Sequence, residues 1–592
     1  MLIDMIHDNH GEPLFKTRYR DPRVLAAMGY QAIVIPDALA ALQGTHGEGM
    51  GGLSTAAVQG EAASGGGSAA GGGMGAMPRR MRELEDEIDG QVQWAGEAGL
   101  KIFFYGDALL LPRVVVEKKP EDFLCGDGSG RLCPGKEEVF EALKDQVRAL
   151  FERWPAAAGL VMRTGEVYPE ATPHMRGSPL HGPGSGACEA CRGISTAERL
   201  VRFIGKMHEA VIVERKKVYV HRAWQPAIGR EALGGIGTAA GGTSMHDDPA
   251  VYREVAERVP NVPELIFSFK FTRGDFRQAG AGPGGSRFNP CLLADERPKW
   301  IEFQCEREYE GKGALPNYQG PLWREFFNEL RGGLGIRTGE GESAERLPER
   351  FHLWGWSRGG GWGGPYVQRE EWIDANVRVL AELYRNPGAD PAEVATTWSA
   401  EAFGIAESSA PAPAITELLM ISAGTIRRLL YVAALAGMRS GETPWLKDDQ
   451  LDVEAIFAAA QRVAALGSAE EAIDEKREAM AGVDRIVQLF DIASPELPNK
   501  SQVRDLFNAL AYFRSFAATV AELFIGFVRY AQWAGTGRTD RGLAKEMREH
   551  LEAAQRQWQL HTQRHSQLPG APSMFHEEGL WDRSNACLAE IE

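Results

Sequence analysis

Positive charge is in short supply in this chain: 65 Lys and Arg stand against 81 Asp and Glu, a formal net charge of −16 over 592 residues. That deficit excludes general binding to nucleic acid or to anionic membranes, which takes a basic surface. An anionic ligand would have to be held by a few local Arg or Lys side chains. Cysteine is scarce as well, seven residues, an odd number that fits reduced thiols better than a disulfide framework. Long apolar runs are missing too. The start MLIDMIHDNHGEP has neither a basic n-region nor the apolar stretch of a secretory signal. The longest candidate, Ser501–Trp533, is interrupted by Arg504, Asp505, Arg514, Glu522 and Arg529, so it reads as an amphipathic helix and not a membrane span. A cytoplasmic protein with no nucleic-acid or membrane partner is expected.

One cysteine pair, Cys188 and Cys191 in CEAC, has metal-like spacing. Structural zinc takes four ligands, and Cys125 and Cys133 are the plausible residues to complete a set. The plainer reading, a loop with reduced thiols, is preferred here, and no metal or other cofactor is expected.

What is present is a globular composition, 44% hydrophobic and 25% charged, ordered in two styles. Residues 1–365 alternate short apolar runs with amphipathic helical stretches, the signature of a parallel sheet. The runs start at Leu2, Gln31, Lys101, Gly159, Lys217, Leu265, Trp300 and Phe351. Eight of them predict a (β/α)8 barrel, with a doubly wound sheet as the alternative. The barrel is favoured because run after run ends in ionisable or amide groups: His7, Asp8 and Asn9; Asp37; Asp107; Arg163 and Glu166; Arg222; Lys270 and Asp275; Glu308. In such barrels the C-terminal strand ends build the active site. A stretch of Gly, Ala and Ser at about 45–77 reads as a flexible insertion. From 366 to 592 the spacing is helical only, an α-helical C-terminal domain whose long apolar faces suit packing on the barrel and are compatible with a homodimer.

The stretch WIEFQCEREYEG, Trp300–Gly311, is an unusual strand. Alternation puts Trp300, Glu302, Gln304, Glu306 and Glu308 on one face. In a barrel with a charged mouth these groups point inward and pair with basic residues of neighbouring strands, leaving Glu308 to reach a substrate. Glu166 follows the fourth strand, while Asp275 and Glu308 end the sixth and seventh, across the mouth. One carboxyl facing two others is the layout of a glycosidase: one protonates the leaving oxygen, and the opposing pair activates water. Arg163, Arg222 and Lys270 end three strands at the same mouth. They either balance acidic neighbours such as Glu302, Glu306 and Asp275, or hold an anionic sugar such as a uronate through charge-assisted hydrogen bonds. Trp224, Tyr309, Trp354 and Trp356 could stack on sugar faces.

These motifs, GLVMRTGE, VHRAW, FKFTRGDF, EFQCEREYEG and LYRNPGADPAEVATTWSAEAFG, with HDN in the first strand, occur in an order that resembles the α-glucuronidases of glycoside hydrolase family 67. The resemblance implies a (β/α)8 barrel with a helical C-terminal domain, no metal, and inverting release of glucuronic or 4-O-methylglucuronic acid from oligosaccharides. It implies Glu166 as general acid and Asp275 with Glu308 as base carboxylates. Arg163, Arg222 and Lys270 fall around the uronate with Asn9, Trp224 and Tyr309, and Arg163 stands where the family usually has Lys. Three features depart from the family: the first strand begins at Leu2 with no β-rich domain before it, QAGAGPGGS follows Asp275, and WGWSRGGGWGGP follows the eighth strand. Another acidic sugar, such as galacturonic acid, or a non-catalytic carbohydrate-binding barrel, are the alternatives.

Overall fold

The structure is a computed structural model that describes residues 1–6, 17–45, 76–164, 175–177, 180, 188–224, 245–246, 248–272, 288–334, 347, 349–358, 369–436, 445–447, 450–565 and 579–591. The glycine-rich stretch at about 45–77 lies mostly outside them, between a helix that ends at Thr45 and one that begins at Ala76.

Eight strands form a closed parallel barrel in chain order: β1 Leu2–Ile6, β2 Ala32–Ile35, β3 Lys101–Asp107, β4 Gly159–Arg163, β5 Val218–Arg222, β6 Leu265–Lys270, β7 Lys299–Gln304 and β8 Phe351–Arg358. Each begins within one residue of its apolar run. Parallel strands are covered by helices outside and by one another's side chains inside, so both faces are dry and the sequence shows near-continuous apolar runs. Every residue of β4, β6 and β7 is buried.

The two faces carry separate cores. Outward residues join the large apolar layer under the helices. Inward residues form their own cluster of Ile3, Met5, Ala32, Val34, Phe103, Tyr105, Val161, Val220, Ile266, Trp300, Trp354 and Trp356. At its base Phe103 meets Trp300 edge-on at 4.9 Å between centroids, and Trp300 meets Trp354 at 5.6 Å. Burying each such ring contributes about 1.5–3 kcal/mol, so the lower barrel is a packed core and not a pore.

The helix Glu371–Arg385 packs on β8 and closes the ring around the barrel. Among the described residues beyond it, the chain is helices and their connections apart from a small ribbon of Leu446–Lys447 with Gln450–Leu451. Helix Lys500–Gly535 is long and apolar enough to cross a membrane by length and composition. Here it is a core helix: Phe513, Val520, Leu523, Phe524 and Phe527 are fully buried between helices Ala469–Ala493 and Arg541–His565. Polar contacts tie helix Glu371–Arg385 and the residues just before it to the helices that follow. Trp398 donates to Asp374 at 2.8 Å, and Arg369 pairs with Asp505 at 2.9 Å.

Candidate active site

Strand parity sets what the barrel shows at its C-terminal end. With Tyr105, Val161, Val220, Ile266 and Trp300 inward, the alternation turns Asp107, Arg163, Arg222, Ser268, Lys270, Glu302 and Gln304 inward above them. Backbone register places Asp107 opposite Arg163, Arg163 opposite Arg222, and Lys270 opposite Glu302. A charged layer therefore sits on an apolar one, at the end where such barrels carry their sites.

Its charges are ordered by one another. Arg163 makes two bonds to Asp107, Nε to Oδ1 at 2.7 Å and Nη2 to Oδ2 at 2.9 Å. Arg222 reaches Glu302 through Nε at 3.0 Å and Nη2 at 3.0 Å, and its Nη1 donates to the Tyr105 hydroxyl at 3.1 Å. Ser268 adds a hydroxyl bond to Glu302 at 2.7 Å. Burial alone would push the Arg222 guanidinium toward neutrality, but the Glu302 carboxylate outweighs it and holds the group above its usual range. The Trp356 ring lies under the Arg222 guanidinium, 5.0 Å away. The Lys270 ammonium sits over Trp224, 3.4 Å from the ring centroid, a close cation–π contact. Glu302 thus pairs with a basic neighbour as its strand position suggests, while the Trp354 ring, in the apolar layer beneath, lies 5.9 Å from the Arg222 guanidinium.

Glu308 is reached differently from the expected alternation. β7 ends at Gln304, and Glu306 and Glu308 lie on the loop beyond it. The side chain of Gln304 makes the link: its Oε1 accepts from the Glu308 backbone N–H at 2.5 Å, and its Nε2 donates to Glu308 Oε2 at 3.2 Å. The Glu308 carboxylate is thereby fixed beside an inward-facing strand residue, with Tyr309 buried next to it.

The loop itself is over-determined. Arg307 adopts a left-handed backbone, φ 66°, a strain of about 1–3 kcal/mol that persists only where the surroundings impose it. Its guanidinium pairs with Glu310 at 2.8 and 2.9 Å, and Asn317 adds a bond to the same carboxylate at 2.5 Å. Asn376, on the helix after β8, donates to the carbonyls of Cys305 and Asn317 and accepts from Gln319 N–H at 2.8 Å, clamping both roots of the loop. Gly313, φ 78°, passes so close to Ile373 that a Cβ would lie 2.5 Å from its Cδ1. The sequence reading missed these supports, since Asn376 and Glu310 look like ordinary surface polar residues until the fold joins them.

Of the residues expected to act, Arg163, Arg222, Lys270, Trp224, Glu308 and Tyr309 are all at or beside this layer, and all are buried. Glu166, Asp275 and Asn9 lie outside the described residues, as do the segments QAGAGPGGS and most of WGWSRGGGWGGP.

No protein-family model and no curated protein matches the sequence. Among solved structures, the chain is similar to a GH138 enzyme targeting pectin rhamnogalacturonan II, with a TM-score of 0.56, 10% identity, and coverage of 97% of this chain and 63% of that one. An O-GlcNAc hydrolase from Thermobaculum terrenum also overlays, at a TM-score of 0.36 and 9% identity, over 100% of this chain and 93% of that one. The chain thus spans less than two thirds of the GH138 enzyme's length, and the likeness is one of fold: a closed eight-stranded barrel followed by a helical region.

Proposed function

We propose that the chain is an exo-acting glycoside hydrolase that releases an α-linked uronic acid, glucuronic acid or its 4-O-methyl ether, from an oligosaccharide with inversion. The observation that carries this reading is the layer of Arg163, Arg222 and Lys270. They stand on three successive strands, face inward at the C-terminal mouth, and share it with the fixed carboxylate of Glu308. Asp107, Glu302 and Trp224 orient these cations before a ligand arrives, which is what recognition of a sugar carboxylate requires.

In this reading Glu166 protonates the glycosidic oxygen, and Asp275 with Glu308 activates a water on the opposite face of the ring. Inversion calls for acid and base carboxyls about 6.5–9.5 Å apart. Gln304 keeps Glu308 turned toward the mouth. The motif order shared with the family 67 α-glucuronidases supports glucuronic acid as the sugar.

A second reading, galacturonic acid, is supported by the GH138 neighbour, whose stated target is a pectin. The deciding experiment incubates the protein with glucuronic- and galacturonic-acid-bearing oligosaccharides, identifies the monosaccharide released, and follows the first anomer by NMR. Early β-glucuronic acid is expected. Galacturonic acid would install the second reading, and release of only neutral sugars would end both.

A further inference from the structure

Four cysteines that are dispersed in sequence meet at one point outside the barrel mouth. The sulfurs of Cys125, Cys133, Cys188 and Cys191 all lie within 4.8 Å of one another, and all four residues are buried. They form a cluster separate from both apolar cores. None is in a disulfide, and the Cys133–Cys188 sulfur separation is 3.6 Å. Four thiolates around a tetrahedral zinc, at about 2.3 Å each, stand roughly 3.8 Å apart. We propose that these four cysteines hold a structural zinc ion that staples the loop after β3 to the loop after β4.

The local backbone is shaped for that role. Cys125 and Cys133 flank a hairpin closed by Cys125 N–H to Arg131 O at 2.8 Å and Cys133 N–H to Phe123 O at 2.8 Å. Cys188 and Cys191 bracket a single 3-10 turn. The two segments touch backbone to backbone: a Cβ on Gly135 would stand 2.1 Å from the Ala190 carbonyl oxygen. Two cations bond backbone carbonyls one or two residues from these cysteines. Lys136 donates to Leu124 O at 2.7 Å, and Arg202 to Gly135 O at 2.9 Å, suiting a centre whose four thiolates leave it with two net negative charges.

Four converging buried thiols are a costly way to fill a core, because each adds little apolar area. Without a metal the two loops are joined by the antiparallel pairing of Leu110–Pro112 with Met175–Gly177. With it, the strand-four loop, which carries Glu166, is tied at Cys188 to the neighbouring strand-three loop. The sequence names these four residues as a possible set, but with Cys133 and Cys188 55 residues apart only their convergence in space favours it over a loop with reduced thiols.

The test uses the full chain, purified without chelator and desalted. Elemental analysis by mass spectrometry is expected to find about one zinc per chain. Release with a mercurial reagent and replacement by Co(II) is expected to produce the strong near-ultraviolet thiolate-to-cobalt band and the visible bands of a tetrahedral site. Cys133→Ser and Cys191→Ser should each lose the metal and lower the melting temperature by several degrees. If those variants fail to fold, the metal content and cobalt spectrum of the unaltered protein decide alone. Metal-free protein with all seven thiols titratable after unfolding and no cobalt spectrum overturns the proposal. So does a mass deficit showing disulfides, or zinc that persists in folded Cys191→Ser.

Discussion

The Tyr431 hydroxyl, in the helical domain, donates to Glu310 Oε1 at 2.8 Å, and Glu310 stands two residues beyond Glu308 on the same loop. Tyr431 is held in turn by Lys476, which bonds its carbonyl and that of Arg428 at the end of helix Pro411–Leu430. The helical domain thus touches the segment that carries the candidate base, through Tyr431 and through Ser422, which accepts from Tyr318 N–H at 2.8 Å. Tyr431→Phe is expected to lower stability by about 1–3 kcal/mol, because a buried carboxylate loses one donor. It should also reduce kcat with KM nearly unchanged, since the hydroxyl touches no substrate. Chemical denaturation and steady-state kinetics check this together. Lost stability at full kcat would confine Tyr431 to holding the fold.

The carboxylates should separate by leaving group. Glu166→Gln is expected to cost several orders of magnitude in kcat on a poorly leaving alkoxide, and far less on a p-nitrophenyl α-glucuronide, which needs little protonation. Glu308→Gln should cost about 10²–10⁴-fold on both, because water activation is required whatever leaves. Equal losses for Glu166→Gln on the two substrates would remove it from the acid role.

Arg222 and Glu302 are a buried pair, 3% and 0% exposed at the side chain. Removing one partner strands the other's charge. Glu302→Ala or Arg222→Met is therefore expected to destabilise by about 3–5 kcal/mol, whereas the double replacement by apolar residues should recover much of that loss. A double-mutant cycle read by urea denaturation measures the coupling. Additive losses would show that the pair contributes no mutual stabilisation.

Asp4 sets a pH dependence. It lies on the outer face of β1, accepts from Ser357 N–H at 3.0 Å and Ser357 Oγ at 2.6 Å, and burial pushes its carboxyl up to about 8. The folded state therefore keeps a proton that the unfolded chain, at 3.8, gives up. Asp4's contribution is fully present below about pH 4 and is lost as pH rises through 8, at up to about 1.4 kcal/mol per unit. Asp4→Asn, which preserves both hydrogen-bond positions, should flatten the curve and stabilise the protein at pH 8 relative to pH 5. Melting temperatures across that range test it, and parallel curves for the two proteins would refute the assignment.

Strands and the charged layer were legible for one physical reason. A parallel barrel strand is dry on both faces, so it appears as an apolar run, and an ionisable residue at its end stands out. Arg222, Lys270 and Glu302 were found that way. The end of β7 was not, because the alternation of EFQCEREYE continues on paper past the point where Arg307 enters a left-handed turn. The supports were hidden by distance along the chain: 121 residues separate Tyr431 from Glu310, and 71 separate Asn376 from Cys305. Pairwise polar contacts between remote segments leave no periodicity to read.

The indole rings of Trp300 and Trp354, with Phe103 against them, leave the barrel with one doorway. A polysaccharide cannot be threaded through it, and a sugar that enters must back out the way it came. Under the proposed reaction, the released sugar and the remaining glycan would therefore both leave from the C-terminal side of the barrel.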